Sequence, residues 1–429
     1  MADWTVMVFM AGDNNLSSAA EDDLAELRRV GSTASVRVMV EVDRAGTAPS
    51  ERRRIERDGV GETALELGET DSGDPDALLG FVRWAVAEEP AERYALVLWN
   101  HGGGWAPAEI ERVAAERGAA EWSPGEARER SRSGLARVFF RPSLATILAL
   151  PSPHERAICS DDASGHSLDT VELGRVLATI CAELGRPLDL LGMDACLMSN
   201  LEVAYEVRSM ARAIVASEET EPGGGWAYDR VLRAFGEDPK AATVSIAGKL
   251  VSAYAAAHVA AGPRERITQT ALDTAAFDGL AALLDALSAA LVRDIAGRAA
   301  EVWSAQRRAA RFCGDTLWDV LDLAGGLGAT TRDAAVGQAA AALAAALRPG
   351  AGAILATTQR GPGLARCGGL SVYLPALREV SPFYAELAFA RRQEQPAWPG
   401  FLNAYRQVLS RSTAAAGGVV VPRPGGALA

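Results

Sequence analysis

Residues 191–200 have the sequence LGMDACLMSN, in which an apolar run meets a helical pattern. The apolar run, residues 188–193, predicts a buried strand, and the pattern from Leu197 predicts a helix. Cys196 is therefore expected where a strand ends and a helix begins, with Asp194 two residues before it. A helix N-terminus favours the thiolate form of a cysteine through the helix dipole and its free N–H groups. The alternative is a structural cysteine, because this position also suits a small buried residue.

The chain has 429 residues, of which 49% are hydrophobic, and a net charge of −12. This length favours two domains, or one large domain with insertions. The negative charge argues against nucleic acid or an anionic membrane as a partner, and suits basic ligands better. The five cysteines show no CxxC spacing, so we expect neither a disulfide framework nor a zinc site, and no cofactor. With no basic leader and no long apolar run, we expect a cytoplasmic protein without a transmembrane helix.

Residues 1–235 alternate short apolar runs with helical patterns. This alternation predicts a catalytic domain of the α/β class, with a mostly parallel sheet and helices on both faces. Residues 106–157 interrupt it with Arg, Glu, Gly, Ser and Pro, so we interpret them as an insertion, with a helix near 109–116. Residues 236–410 predict a largely helical, Ala-rich C-terminal region with late strands, and residues 411–429 predict a disordered tail.

His101 follows the predicted strand 94–99 in the sequence NHGGGW. Catalytic groups gather at the carboxyl ends of parallel strands, so we expect His101 and Cys196 at one sheet edge. An imidazole that activates a thiol is the core of nucleophilic acyl transfer. The backbone N–H of Gly102 would then share an oxyanion hole with that of Cys196. A phosphate-binding loop is the competing interpretation, but it requires Gly-x-Gly-x-x-Gly opening a helix.

Two further polar residues have open interpretations from the sequence alone. Asp194 is either a hydrogen-bonding group of the core or a carboxylate that holds the cation of an Arg or Lys substrate side chain. His258 lies in an Ala-rich helical pattern, which favours a structural role. Spacing does not decide between the two interpretations of Asp194.

Several spaced motifs together resemble the clostripain family of cysteine peptidases, in the caspase-like clan. They are, in chain order, 7–16 (MVFMAGDNNL), 100–105 (NHGGGW), 160–166 (SDDASGH), 193–200 (MDACLMSN), 217–223 (SEETEPG) and 369–375 (GLSVYLP). The resemblance covers residues 4–235 and returns near 310–375. It implies a caspase-like sheet with helices on both faces.

The resemblance also implies roles for individual residues. His101 and Cys196 match the catalytic dyad. Asp194 matches the acid proposed for the pocket of the residue before the cut, which implies protein or peptide substrates cleaved after Arg or Lys. Family members mature by cleavage between the His and Cys segments. Here that interval holds the processing candidates Arg128, Arg130 and Arg132, open to self-cleavage or to an activating protease. Calcium dependence is known for some members, although no EF-hand-type loop is present.

We therefore expect a cysteine endopeptidase that is made as a single-chain zymogen. Many family members are secreted, whereas this chain shows no export signal, so the expectation extends to a regulated intracellular protease cascade. One alternative is a catalytically silent caspase-like protein used for binding or scaffolding, against which the intact Cys–His pair argues. Another is an amidohydrolase or acyltransferase that uses the same dyad on other substrates.

Overall fold

The computed structural model describes residues 1–46, 48–105, 158–161, 163–164, 167–259, 262, 265–313, 315–350, 352–393 and 396–415. The predicted insertion, its helix near 109–116 and its three candidate processing arginines lie outside these ranges, as do residues 416–429.

The described strands form a nine-stranded sheet and a three-stranded sheet. In chain order they are β1 (Ala2–Gly12), β2 (Val36–Arg44), β3 (Ser50–Arg54), β4 (Ala64–Gly68), β5 (Ala91–Trp99), β6 (Leu188–Asp194), β7 (Ala211–Ala216), β8 (Ile267–Asp273), β9 (Arg311–Phe312), β10 (Leu317–Asp319), β11 (Ile354–Arg360) and β12 (Ser371–Tyr373). The large sheet has the order β11-β8-β7-β6-β5-β1-β2-β3-β4, and the small one has the order β12-β10-β9.

The centre of the large sheet is parallel. β2, β1, β5, β6 and β7 pair in parallel, and the remaining pairs, toward β4 and toward β11, are antiparallel. These five strands read as near-continuous apolar runs because helices bury both of their faces. The predicted mostly parallel sheet is therefore confirmed, and the C-terminal region contributes β8 and β11 to its edge.

Helices cover both faces of the sheet. In chain order they are α1 (Ser17–Val30), α2 (Pro75–Glu88), α3 (Thr170–Leu184), α4 (Leu201–Glu206), α5 (Tyr228–Glu237), α6 (Thr243–Ala257), α7 (Phe277–Val292), α8 (Ile295–Arg308), α9 (Val320–Thr330), α10 (Ala334–Ala346), α11 (Ala388–Arg391) and α12 (Ala397–Ala415). α1, α5 and α6 pack on one face, and α2, α3 and α7 pack on the other. Successive side chains of β1 point to opposite faces of the sheet. Val8 therefore packs on the face covered by α1, α5 and α6, and Phe9 packs on the face covered by α2, α3 and α7.

Local signals fixed several helix starts. Asp74 caps α2, whose first residue is Pro75, by accepting from the N–H of Asp76. Asp169 and Glu172 form the predicted capping box at the start of α3. These signals lie within a few residues of one another, so the sequence alone reveals them.

Two predictions need correction, and one strand was missed. The helix expected directly after Cys196 begins only at Leu201, because Leu197 has a φ of 65° and Asn200 is the N-cap. The helix dipole therefore does not act at the thiol. The strand β8 was not predicted, since polar residues fill its centre. The expected tail from residue 411 begins in helix, because α12 continues to Ala415.

One described segment has the length and composition of a membrane span by these two criteria alone. Thr274–Val292 has a mean hydropathy of 1.7, and 44% of it is buried inside the protein. Its large side chains, such as Leu280, Leu284 and Leu287, belong to the hydrophobic core. A core helix of a globular protein passes the same test of length and composition.

Candidate active site

The carboxyl ends of β5 and β6 meet at one edge of the large sheet. The two strands are parallel, with Trp99 opposite Asp194, and the N–H of Asn100 donates to the carbonyl of Asp194 at 3.3 Å. His101 follows β5 and Cys196 follows β6, so this pairing brings their loops together. Both residues are 3% exposed. The predicted meeting of the two segments at this edge is what the structure shows.

Gly102 allows the two loops to touch. A Cβ atom at this position would lie 2.9 Å from the backbone nitrogen of Cys196 and 2.3 Å from its carbonyl oxygen. No side chain fits there without displacing the backbone of the Cys196 loop. The two N–H groups predicted to form an oxyanion hole, those of Gly102 and Cys196, thus belong to backbones in direct contact. The next N–H, that of Leu197, is already committed to the carbonyl of Glu219 at 3.2 Å.

The imidazole of His101 is held by a side chain that the sequence analysis did not single out. Its Nε2 atom lies 2.9 Å from Oδ1 of Asn15, in the loop after β1. An amide oxygen only accepts, so this contact places the ring proton on Nε2 and leaves Nδ1 as the acceptor. Burial lowers the pKa of His101 to about 3, which keeps the ring neutral near pH 7. A neutral, oriented imidazole is what a general base requires.

The thiol of Cys196 receives a backbone hydrogen bond. The N–H of Glu221 donates to its Sγ atom at 3.3 Å. Such a donor favours the thiolate over the thiol, and so replaces the helix dipole that the sequence suggested. Leu197, immediately after the nucleophile candidate, has a φ of 65°, in the region that non-glycine residues rarely adopt. This turn directs the chain away from Cys196 before α4 begins.

A cleft beside Cys196 is lined by three acidic side chains. They are Asp23 from α1, Asp194 from the end of β6, and Glu221 from the segment after β7. All three are buried. A concave, acidic site next to a thiol suits a cationic group on a substrate.

The cleft acids differ in their partners. Asp194 accepts from the N–H of Trp226 at 3.2 Å and from the hydroxyl of Tyr228 at 2.9 Å. Burial raises its pKa. Asp23 accepts from the indole N–H of Trp99 at 2.7 Å, and burial, with Asp194 nearby, raises its pKa to about 9.

Glu221 was missed by the sequence analysis as a candidate in its own right. Its segment, 217–223, was noted only as a motif, and nothing local marks its last acid as part of a pocket. His258, expected to be structural, lies behind the same loop, with Nε2 3.0 Å from the carbonyl of Gly225. His154 and His166 lie outside the described residues.

The profile of the clostripain family matches residues 8–118 and 149–319, well over half of the chain. This chain belongs to the clostripain family. It is 25% identical over 259 residues to clostripain of Hathewaya histolytica. That match covers 53% of this chain and 41% of the longer protein, so the chain spans less than half the length of this relative.

Solved structures of clostripain-family proteins share the fold. A secreted C11 cysteine protease from Bacteroides thetaiotaomicron, in complex with an irreversible peptide inhibitor, superposes with a TM-score of 0.62 at 18% identity. It covers 95% of this chain and 100% of that one. An inactive zymogen C11 protease from Parabacteroides distasonis gives 0.62 at 17% identity, covering 91% and 97%. At these identities the likeness concerns the fold alone.

The calcium dependence of some clostripain-family members finds no matching donor set in the described residues. One group there brings three potential metal ligands within 4.8 Å of one another: Glu218, Asp319 and Cys367. Calcium takes six to eight oxygen ligands, and a cysteine sulfur is a poor substitute. Asp319 is also engaged, since its Oδ2 accepts from the N–H of Gly368 at 2.7 Å. This group does not fit calcium.

Proposed function

We propose that this chain is a cysteine endopeptidase that cleaves protein or peptide substrates after Arg or Lys. One observation carries the proposal: the loops of His101 and Cys196 meet at the sheet edge beside a cleft lined by three buried acids. A thiol with a neutral imidazole suits acyl transfer, and the acids suit a cationic side chain before the scissile bond. Membership of the clostripain family supports the same conclusion.

The reaction follows from these positions. His101 takes the proton of the Cys196 thiol, and the sulfur attacks the scissile carbonyl carbon. The N–H groups of Gly102 and Cys196 stabilise the resulting oxyanion. Collapse breaks the C–N bond, His101 gives its proton to the leaving amine, and a thioester remains. Water, deprotonated by His101, then hydrolyses the thioester and restores the thiol.

Hydrolysis of fluorogenic Arg-amide peptides tests this proposal directly. We expect turnover by the wild-type chain, and loss of at least about a thousandfold in kcat for Cys196→Ala and for His101→Ala. Cys181→Ala, which changes a partly buried cysteine in α3, is the matched control and should remain active. Equal inactivity of the wild type and Cys196→Ala, before and after nicking with trypsin, would favour the catalytically silent alternative.

We also propose activation by cleavage within residues 106–157, by the enzyme itself or by another protease. The segment joins the His101 loop to the part of the chain that carries Cys196, so a cut there leaves both residues attached to the same sheet. Mass spectrometry of the purified wild type and Cys196→Ala decides between the routes. Self-cleavage predicts a split wild type, cut after an arginine such as Arg128, Arg130 or Arg132, and an intact variant.

A role in a cytoplasmic protease cascade completes the proposal and rests on the sequence alone. The test is fractionation of the native cells, followed by detection of the intact and cleaved chain in each fraction. Recovery of the chain only outside the cells would overturn this part, while leaving the peptidase activity itself unaffected.

A further inference from the structure

The carboxylate of Glu221 lies close to the indole of Trp226 and the carboxyl of Asp194, but it has no hydrogen bond of normal geometry from the described residues. Glu221 is 4% exposed, and no donor in the described part of the chain stands at normal hydrogen-bonding distance and angle to either of its carboxylate oxygens. No arginine or lysine there forms an ion pair with it either. Asp194, by contrast, accepts from Trp226 and Tyr228. A buried carboxylate without hydrogen bonds of normal geometry is costly, so such a group marks a place where a ligand completes the structure.

The position of Glu221 connects it to the reaction centre. Its own N–H donates to Sγ of Cys196 at 3.3 Å, and its side chain lines the cleft together with Asp194 and Asp23. A cation held by this carboxylate would therefore sit directly beside the nucleophile. In a peptide substrate, the side chain of the residue before the scissile bond lies at a similarly short distance from that bond.

The groups that face Glu221 are mostly acidic or neutral. Asp194 comes from β6, Asp23 from α1, and Tyr254 from α6, and the thiol of Cys196 lies below. The indole N–H of Trp226 faces Glu221 and stabilises its charged form, and the hydroxyl of Tyr254 has no hydrogen-bond partner among the described residues. Among the described residues, His258 is a basic group that acts on this set, and its electrostatic effect falls on Asp194. The cleft thus holds an excess of negative charge.

We propose that Glu221 forms the direct ion pair with the cationic side chain of the substrate, and that in the empty cleft it carries a proton which the cation displaces. This inference rests on the proposed cleavage after Arg or Lys. Asp194 then has a supporting part: it adds negative charge and holds the loop of Trp226 and Tyr228 in place.

The proton balance follows from the pairing of two buried carboxyls. Neighbouring carboxyls in a buried site do not both ionise, so the pair shares one proton. Burial and the charge of Asp194 raise the pKa of Glu221, and the donors around Asp194 favour its charged form. The proton therefore resides on Glu221. A guanidinium keeps its own protons, so its entry sends the Glu221 proton to solvent and leaves two carboxylates around one cation.

Two carboxylates also favour Arg over Lys. The planar guanidinium presents several N–H donors in a fixed fork, so it can bond to Glu221 and Asp194 together. A lysine ammonium is a single strongly hydrated point charge and gains less from the second acid. We expect a preference for Arg peptides in the wild type that shrinks when Glu221 is neutralised.

Calorimetry measures the displaced proton. The full chain carrying Cys196→Ala is titrated at pH 7 with a peptide amide ending in Arg, in buffers of different ionisation enthalpy. We expect about one proton released per peptide bound. A peptide with citrulline, which is neutral and of similar shape, should release none. Glu219→Gln, which neutralises a neighbouring buried acid paired with Arg266, is the matched control and should leave the release unchanged.

Substitution of Glu221 separates this inference from the proposed function. In an otherwise wild-type chain, Glu221→Gln should raise KM for Arg peptides about 300-fold or more and change kcat little. Glu221→Asp, which keeps the charge, should restore part of the affinity and guards against a folding defect. An unchanged KM in Glu221→Gln, or a persisting proton release, would overturn the role of Glu221. If Arg peptides are hydrolysed in a Cys196-dependent way throughout, the peptidase function still stands.

Discussion

Two groups of buried acids lie at the same edge of the large sheet, and their oxygens are used differently. The first group has three members. Asp13 directly follows β1, Asp43 lies near the end of β2, and Asp161 lies in the segment after the insertion. Asp43 accepts from the hydroxyls of Ser50 and Ser72, both at 2.7 Å.

Asp161 accepts from the backbone N–H groups of Ser72 at 2.9 Å and Ser164 at 2.8 Å. Asp13 accepts from the N–H of Ala163 at 3.2 Å. In the second group, Asp194 accepts from two donors and Asp23 from one, whereas Glu221 has no hydrogen bond of normal geometry from the described residues. This difference in hydrogen bonding indicates that the first group stabilises the loops around it, whereas the carboxylate of Glu221 in the second group is available to a ligand.

The largest expected effect is on activity and comes from the cleft. Asp194→Asn should lower kcat/KM for Arg peptides about 100-fold, because it removes one of the charges that would surround a buried cation. The amide oxygen can still accept from Trp226 and Tyr228, so the melting temperature should change little. Steady-state kinetics and thermal unfolding check the two parts. A large fall in melting temperature with an unchanged KM would show that Asp194 belongs with the acids that stabilise loops.

The converse effect is expected at Asp43. Asp43→Ala leaves the hydroxyls of Ser50 and Ser72 and the N–H of Arg44 without their acceptor. This should lower the free energy of unfolding by about 2–4 kcal/mol. KM for Arg peptides should stay within twofold. Urea unfolding followed by fluorescence gives the first value, and a rise in KM without loss of stability would contradict the assignment.

The pH dependence of stability distinguishes the groups further. The pKa of Asp23 is raised to about 9 from an ordinary value of 3.8, so the folded chain retains a proton that the unfolded chain releases. This group therefore costs stability as the pH rises from about 4 toward 9. Asp23→Asn lacks this loss of about 1.4 kcal/mol per pH unit, so its stability relative to the wild type should be about 4 kcal/mol higher at pH 8 than at pH 5. Parallel pH dependences for both chains would refute this prediction.

The smallest effect is expected for Ser50→Ala. It removes one of the donors to Asp43 and the acceptor of the Thr70 hydroxyl, which should cost about 1 kcal/mol of stability. Kinetic constants should not change, because the hydroxyl is remote from the cleft lining. Chemical denaturation of both variants shows how much of the loss of stability in Asp43→Ala is due to the hydrogen bond from this one hydroxyl. A loss equal to that of Asp43→Ala would place the whole effect in this single bond.

The sequence by itself determined the centre of the sheet and the meeting of the His101 and Cys196 loops. The runs that became β1, β2, β5, β6 and β7 are apolar because both of their faces are buried, and that signal is local. Parallel strands share an edge for their carboxyl ends, so His101 and Cys196 could be placed together without any coordinates. The caps of α2 and α3 are equally local.

Only the tertiary structure revealed β8. Its centre is polar, and no alternation of apolar residues marks it. Thr268 is nevertheless buried, because its hydroxyl accepts from the N–H groups of Glu218 and Glu219, both at 2.9 Å. These partners lie about fifty residues away, so the interactions that bury the strand are absent from any local window.

Only the tertiary structure decided the composition of the cleft. Asp194 lies two residues before Cys196 in the sequence, so an acid near the thiol could be predicted from the sequence. Glu221 enters the cleft because β7 runs parallel to β6 in the sheet. The segment after β7 then brings the N–H of Glu221 to the thiol of Cys196. Asp23 comes from α1, almost two hundred residues earlier. Local patterns marked His101 and Cys196 as candidates, whereas the acids that line the cleft beside them come together through long-range packing that sequence spacing does not show.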